Sequence, residues 1–196
     1  MSRRQVVAAS AAVLGAVTIL LIAFVSGRPK PQQDAPGATA PDAPAGAERK
    51  ITATLYFIAE DGTALVGMQQ EVAYGGGVLE QARHILEAQL GRAPAPLASA
   101  IPEGTTLRAL YVTERGDAFV DLSNDARAKH TGGTLDELFT VYAIVDALTV
   151  NLPAITRVQI LVEGKEVDTL AGHVDLRHPL QKSLQWIRTD SEKDGT

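Results

Sequence analysis

An uninterrupted apolar block near the start of the chain constrains its organisation more than any other feature. No charged residue lies between Arg4 and Arg28, and residues 6–26 are almost wholly apolar. A helix of about 20 such residues rises about 30 Å, which matches the hydrocarbon thickness of a bilayer. A globular helix of this length normally carries a polar stripe, and this block has none. We therefore predict a transmembrane signal-anchor helix over residues 6–26, preceded by a short cytoplasmic N-terminus, residues 1–5.

The following segment, residues 27–50, is rich in proline and alanine and contains almost no large apolar side chain. Such a composition cannot bury enough surface to offset the entropy of ordering, so it predicts a disordered linker. Arg3 and Arg4 favour a cytoplasmic N-terminus, which predicts a single-pass inner-membrane protein whose C-terminal domain lies outside the cytoplasm. The alternative is a cleaved signal and a soluble periplasmic product, although the cleavage pattern near residue 26 is poor.

Charge and composition exclude several classes of partner for the remainder of the chain. From Glu48 onward, 14 basic and 21 acidic residues give a net charge of −7. This balance disfavours binding to nucleic acid and docking on anionic lipid. The chain has no cysteine, which excludes disulfides and thiolate metal sites. We expect membrane contact through residues 6–26, a protein partner or self-association, no cofactor, no nucleic acid and no small-molecule substrate.

Hydrophobic periodicity predicts an α+β domain over residues 51–178, followed by a tail, residues 179–196, that can form a short helix. Apolar and polar residues are spaced as strands and helices in the order ββαββαββ. This order predicts a mixed β-sheet of about five to six strands with two helices packed on one face. The first strand, residues 51–59, is apolar on both faces and is predicted to be central.

Local signals place turns, caps and solvent positions in this domain. Glu163-Gly164 predicts a turn between the last two strands. Thr134 and Glu137 have the spacing of a capping box at the start of the second helix. Asp121 alternates with apolar neighbours in a strand, and Asp146 lies away from most of the apolar stripe of its helix, so both are predicted to face solvent.

Several motifs resemble those of the GerMN domain family. The resemblance covers residues 53–176 and includes the loop Ser-Ala-Ile-Pro-Glu-Gly-Thr at 99–105, the hairpin end Val-Asp-Leu-Ser at 120–123 and the close "VQILVEGKEVDTLAGHVDL". It implies an extracytoplasmic α/β module without known catalytic residues, similar to small units that pack laterally. The structural positions carried over from the motifs are Ile101, Pro102, Gly104, Asp121, Leu122, Gly164, Gly172 and His173.

The candidate chemistry is weak by comparison. His173 and His178, with Asp175 between them, could ligate a divalent metal, but their i, i+5 spacing fits neither the helical nor the strand pattern of such sites. The sequence holds no nucleophile elbow or HExxH motif, and the triple glycine at 75–77 lacks a phosphate-loop ending. We therefore predict no catalytic, cofactor-binding or metal-binding residues.

The expected function is a non-catalytic binding or assembly module in the cell envelope. The alternative is an envelope enzyme or ligand-binding domain that acts on wall fragments, which would need a deep pocket with convergent polar groups. In the tail, Leu180, Leu184 and Ile187 fit one helical face. This segment either docks on the domain or offers Trp186 to a partner.

Overall fold

Two separate β-sheets and three helices form the domain in a computed structural model that describes residues 49–188. The strands are β1 (Lys50–Ile58), β2 (Leu65–Ala73), β3 (Leu107–Val112), β4 (Asp117–Leu122), β5 (Arg157–Val162), β6 (Lys165–Glu166) and β7 (Leu180–Gln181), and the helices are α1 (Val78–Gln89), α2 (Asp125–Ala128) and α3 (Thr134–Asn151). The α+β class and the order of the main elements are confirmed. The prediction of one continuous sheet is wrong.

The first sheet is the β1–β2 hairpin. The strands pair antiparallel without a register shift, from Lys50 opposite Ala73 to Ile58 opposite Leu65. A tight turn at Asp61-Gly62 joins them, and Gly62 has a φ of 71°. A positive φ favours glycine because it lacks a Cβ, which explains why glycine suits this position of the turn.

The second sheet is mixed, as predicted. β3 pairs antiparallel with β4, and β4 pairs in parallel with β5 through a connection that contains α2 and α3. The short strands β6 and β7 both pair antiparallel with β5, one at each end of it. The parallel β4–β5 pair brings Leu122 and Val162, the last residues of these strands, side by side.

Side-chain amides replace a third strand on the open edge of β1. Asn151 accepts the Thr54 N–H and donates to the Thr54 carbonyl, both at 2.8 Å. Gln89 makes the same pair of bonds with Tyr56, at 2.8 and 2.7 Å. A carboxamide presents one acceptor and donors side by side, as a peptide group does. The prediction that β1 is a central strand is therefore wrong, because β1 pairs only with β2 and its other edge is bonded to side chains at the ends of two helices.

Helix α3 forms the centre of the core. Its buried side chains point in all directions, because it packs against β1, α1, β5 and the C-terminal segment. Phe139, Ile144 and Leu148 are essentially inaccessible to solvent. A helix enclosed over most of its surface is expected to be apolar all round, so its four buried acidic and hydroxyl residues need partners inside the domain.

The predicted capping box is not formed. The N-cap residue of α3 is Gly133, with a φ of 93° and no side-chain cap bond, and Thr134 lies inside the helix. Glu137 does not reach back to the helix start, because its carboxylate is engaged by backbone N–H groups more than thirty residues further along the chain. The capping-box prediction is wrong, because Thr134 is the first helical residue rather than the N-cap and Glu137 binds a distant loop.

Residues 180–188 form a C-terminal strap that crosses α3 from one sheet to the other. The strap begins as β7, continues through a 3-10 turn at Leu184–Trp186 and ends with Ile187 bridging Leu65 at the start of β2. The strap docks on the domain, which was one of the two predicted alternatives. It is largely extended, however, and not the short helix that was predicted. The Trp186 ring lies 6.4 Å from the Tyr142 ring on α3.

Within residues 49–188, no helix is both long and apolar enough to cross a membrane. The N-terminal segment 1–5, the anchor helix 6–26, the linker up to residue 48 and the tail after residue 188 lie outside the described residues.

Candidate functional surface at the carboxyl ends of the parallel strands

The eight positions carried over from the family motifs lie at one end of the domain. This motif end consists of the carboxyl ends of β4 and β5, the first turns of α3, and the loops 99–106, 123–133 and 163–173. Hydrogen bonds connect these loops, for example from Thr106 N–H to Ser123 Oγ at 3.0 Å and from Asn124 N–H to Glu163 Oε1 at 3.0 Å. Carboxyl ends of parallel strands are common ligand sites, so this end is the candidate functional surface.

Asp121 holds the turn between β5 and β6. The residue is 6% exposed, and its Oδ1 accepts the Gly164 N–H at 2.7 Å. Its Oδ2 lies 3.8 Å from Arg108 Nε, and Arg108 also binds Glu163 at 2.7 Å. The predicted solvent position is wrong, because the turn folds back over the end of β4 and supplies a donor there. Glu163 and Gly164 both have positive φ, at 54° and 73°, as the predicted turn requires.

Glu137 holds the loop that contains Gly172 and His173. The side chain is fully buried. Its Oε1 accepts the N–H groups of Leu170 and Ala171 at 2.7 and 2.9 Å, and its Oε2 accepts the His173 N–H at 2.7 Å. The His173 ring approaches the same oxygen through Nδ1 at 3.1 Å. Successive N–H groups form a concave anion site, and here a carboxylate of the protein itself fills it.

The electrostatics of Glu137 follow from this environment. Burial raises the pKa of the carboxyl group, but hydrogen bonds from the Ala171, His173 and Leu170 N–H groups outweigh burial and hold the pKa below its usual range. The charged form is therefore the one that the loop binds. The Glu137 carboxylate is a structural anchor with all its strong acceptor positions engaged.

A hydrogen-bonded chain connects the 99–104 loop to α3. The Gly132 N–H donates to His130 Nδ1 at 3.0 Å, so the neutral ring carries its proton on Nε2. Nε2 then faces Thr140 Oγ1 at 3.1 Å, and the Thr140 hydroxyl lies 2.5 Å from the Ala100 carbonyl. Both ring nitrogens of His130 are thus engaged, which leaves neither as a free base.

Gly104 sits where a side chain does not fit. Its φ is 86°, and a Cβ built on it would meet Lys129 Nζ at 2.8 Å and Asp125 Oδ2 at 2.9 Å. Lys129 bonds both Asp125 and the Glu103 carbonyl, at 3.0 and 3.3 Å. The motif glycine therefore permits a close approach between the loop and α2.

His173, Asp175 and His178 do not form a common site. His173 contacts Glu137, whereas Asp175 forms an ion pair with Arg177 at 2.6 Å. Hydrogen bonds from the Arg177 side chain hold the pKa of Asp175 well below its usual range. Among residues 49–188, no group of three His, Cys, Asp or Glu side chains is arranged to hold a metal ion.

Open clefts on the described surface include three that are lined by residues other than His173, Asp175 and His178. Two of them, of about 460 and 380 Å³, share the loop from Ser99 to Glu103. The smaller also contains His130 and Asp136. A third cleft of about 570 Å³ lies at the other end, between Val150 and Lys182.

Three buried polar residues that sequence reasoning missed or misplaced organise the domain. Glu137 and Gln89 are fully buried and bond to distant backbone. Asp146 is also fully buried, although it was predicted to face solvent, because the C-terminal strap covers that side of α3. One signal was present for Glu137 and Asp146, because charged residues inside a helix that is otherwise largely apolar indicate internal hydrogen bonding.

The chain belongs to the Germane family, described as a family of sporulation and spore germination. The family model matches residues 54–168, which include most of β1, the strands β2 to β6 and all three helices, but end before β7 and the rest of the C-terminal strap. The resemblance to GerMN domains inferred from the motifs is thereby confirmed. Comparison with curated proteins found no match.

Two solved structures share the fold of this domain. The first GerMN domain of the sporulation protein GerM from Bacillus subtilis matches with a TM-score of 0.50 and 20% identity, covering 68% of this chain and 96% of that domain. The tandem GerMN domains of the same protein match with a TM-score of 0.53 and 20% identity, covering 68% of this chain and 45% of theirs. At this level of identity the likeness concerns the fold.

A further match is a candidate lipoprotein from Clostridium perfringens. It has 26% identity and a TM-score of 0.49, and the match covers 68% of this chain and 88% of that one.

Proposed function

We propose that this protein is a membrane-anchored, extracytoplasmic GerMN-type module that binds or assembles with envelope proteins and performs no catalysis. The observation that carries the proposal is the state of the polar groups at the motif end. Asp121, Glu137 and His130 are bonded within the domain, so the family motifs maintain loop geometry. A surface of fixed shape, rather than a reactive group, is what such a site offers.

The anchor in this proposal is the segment 6–26, whose length and lack of charge suit a bilayer span. The linker then separates the domain from the membrane. The absence of cysteine makes the topology directly testable, because a single introduced thiol is unique. Glu87→Cys places that thiol on α1, where Glu87 is exposed. A membrane-impermeant maleimide should label it in intact cells, and labelling only after lysis would contradict the proposed orientation.

Exposed apolar side chains supply the proposed contact surface. Tyr74, Val78 and Leu79 follow one another at the corner between β2 and α1, with exposures of 41%, 39% and 46%. Gly75 packs on the first turn of α1, and its N–H donates to Gln81 at 2.8 Å, which fixes the corner. Rigid aromatic and aliphatic groups of this kind are typical contact residues for protein partners.

In-cell photo-crosslinking tests the binding role. A photoreactive residue at Leu79 should give a discrete crosslinked product, identifiable by mass spectrometry as an envelope protein or a second copy of this chain. Tyr111, which is 62% exposed on β3, is the matched control position. Equal, diffuse crosslinking at both positions would refute this surface. N-terminal sequencing of the same sample distinguishes the anchored from the cleaved form.

A further inference from the structure

The C-terminal strap is bonded to both sheets at its two ends. Its first residues pair with β5, where Leu180 lies opposite Val158. At its other end, the Arg188 N–H donates to the Leu65 carbonyl at 2.8 Å, and the Arg188 guanidinium binds Asp61 at 2.6 Å. The strap lies beyond residues 54–168, which the family model matches, and it ties the two sheets together.

The middle of the strap rests on one buried carboxylate. Asp146 is 0% exposed, and its Oδ1 accepts the Ser183 N–H at 3.0 Å. Its Oδ2 is buried and has no hydrogen-bond partner within the described residues, and the same holds for Nε1 of Trp186 on the strap. An ionised carboxylate normally needs several donors when buried, so this environment suits the neutral carboxyl group better.

The titratable groups around Asp146 do not compensate for the burial of its charge. Tyr56 faces it from β1 and Tyr142 from α3 itself, and burial, followed by proximity to Asp146, raises the pKa of both phenols. Lys182 on the strap is the positive group that acts on it. Burial outweighs the Ser183 hydrogen bond and Lys182, and it raises the pKa of Asp146 to about 6.

We propose that the strap is a pH-sensitive latch, fastened across α3 when Asp146 is protonated and released in its middle when Asp146 ionises. Release lets water solvate the carboxylate, which the closed strap prevents. It also uncovers Tyr142 and weakens the pairing of the strap with Leu65, the first residue of β2. The strap is therefore tighter at acidic than at neutral pH, and the surface beneath it becomes accessible as pH rises.

The size of the effect follows from proton linkage. With a closed-state pKa of about 6 and an ordinary value of 3.8 in the open state, the open population rises about tenfold between pH 5 and pH 7.5. Amide exchange of Ser183, corrected for intrinsic rates, should therefore lose about tenfold in protection over this range. Ile160, in the core strand β5, is the internal reference and should keep its protection.

Trp186 is the single tryptophan of the chain and reports on the strap directly. In the full chain in detergent micelles, its emission should shift to the red, and its quenching by acrylamide should increase, from pH 5 to pH 7.5. Asp146→Asn should abolish this response and keep the blue-shifted emission throughout. Asp136→Asn, an exposed carboxylate on the same helix, and His178→Gln, next to the strap, should both retain it.

An unchanged pH response in Asp146→Asn would overturn the proposal. If that variant does not fold, Ser183 exchange in the unmodified chain decides. Protection that falls with pH while Ile160 stays constant supports the latch, and constant Ser183 protection refutes it.

Discussion

Glu137→Gln isolates the contribution of the internal carboxylate that holds the 170–173 loop. The change preserves size and shape but removes the charge and converts one acceptor oxygen into a donor. The amide can be oriented so that its oxygen still accepts from the N–H groups of Leu170 and Ala171. Its NH2 group then points at the His173 N–H. Two donors then face each other in a buried site.

The magnitude follows from that geometry. A hydrogen bond to a charged group contributes about 1.5–3 kcal/mol, and a buried donor left without an acceptor costs about 1–3 kcal/mol. The variant loses the charge for its remaining bonds and leaves the His173 N–H unpaired. We expect the free energy of unfolding to fall by about 2–4 kcal/mol, a large fraction of the stability of a domain of this size.

Urea denaturation followed by far-UV circular dichroism measures this loss. Asp136→Asn, one residue earlier in the first turn of α3, where the side chain is exposed, is the control and should change stability by less than about 0.5 kcal/mol. A loss of that small size in Glu137→Gln as well would refute the anchoring role.

The pH dependence supplies a second test of the same anchor. Because the folded-state pKa of Glu137 lies below its usual value of 4.5, the anchor stabilises the fold above that value. This stability is lost as pH falls through the lower, folded-state pKa. The unmodified chain should lose stability over this acidic range, and Glu137→Gln should lose less.

Three further outcomes are expected. Gln89→Met should cost about 2–4 kcal/mol, because the Tyr56 N–H and carbonyl lose their partner, whereas Gln69→Met on the exposed face of β2 should be nearly neutral in the same urea titration. Gly164→Ala should cost about 1 kcal/mol in thermal unfolding because of its positive φ. Asp146→Asn should be more stable than the unmodified chain at pH 7.5 by up to about 3 kcal/mol. The folded-state pKa of Asp146, about 6, lies above the ordinary 3.8. The carboxyl group therefore stabilises the fold below about pH 4, and this contribution is lost as pH rises through 6. Equal stability of the variant and the unmodified chain at pH 7.5 would contradict this.

Periodicity was sufficient to predict the main elements, because it depends on local geometry. The alternation in β4 and the 3.6-residue spacing in α1 correspond to strands and helices in the structure. The turn at Glu163-Gly164 could also be predicted from the sequence, because the need for glycine at a positive φ is a local requirement. The motif order then indicated the family, which the family model confirms.

Long-range hydrogen bonds account for the features that the sequence did not predict. Glu137 has the spacing of a local cap, yet its partners lie 33 to 36 residues away. Asp146 interrupts an apolar pattern. In a helix with one exposed face, such an interruption predicts a solvent-exposed side chain, but here the strap covers that face. The division into two sheets depends on Gln89 and Asn151, and nothing local distinguishes an amide that caps a strand edge from one in water.

The amide pair on β1 also fixes where this chain tolerates length changes. Gln89 and Asn151 lie at the ends of α1 and α3, and each must face the same strand edge, two residues apart. One inserted residue within α1 would rotate Gln89 by about 100° around the helix axis and remove both of its bonds. We therefore expect length changes to be tolerated only outside these two helices, each of which must keep a constant number of turns before its terminal amide.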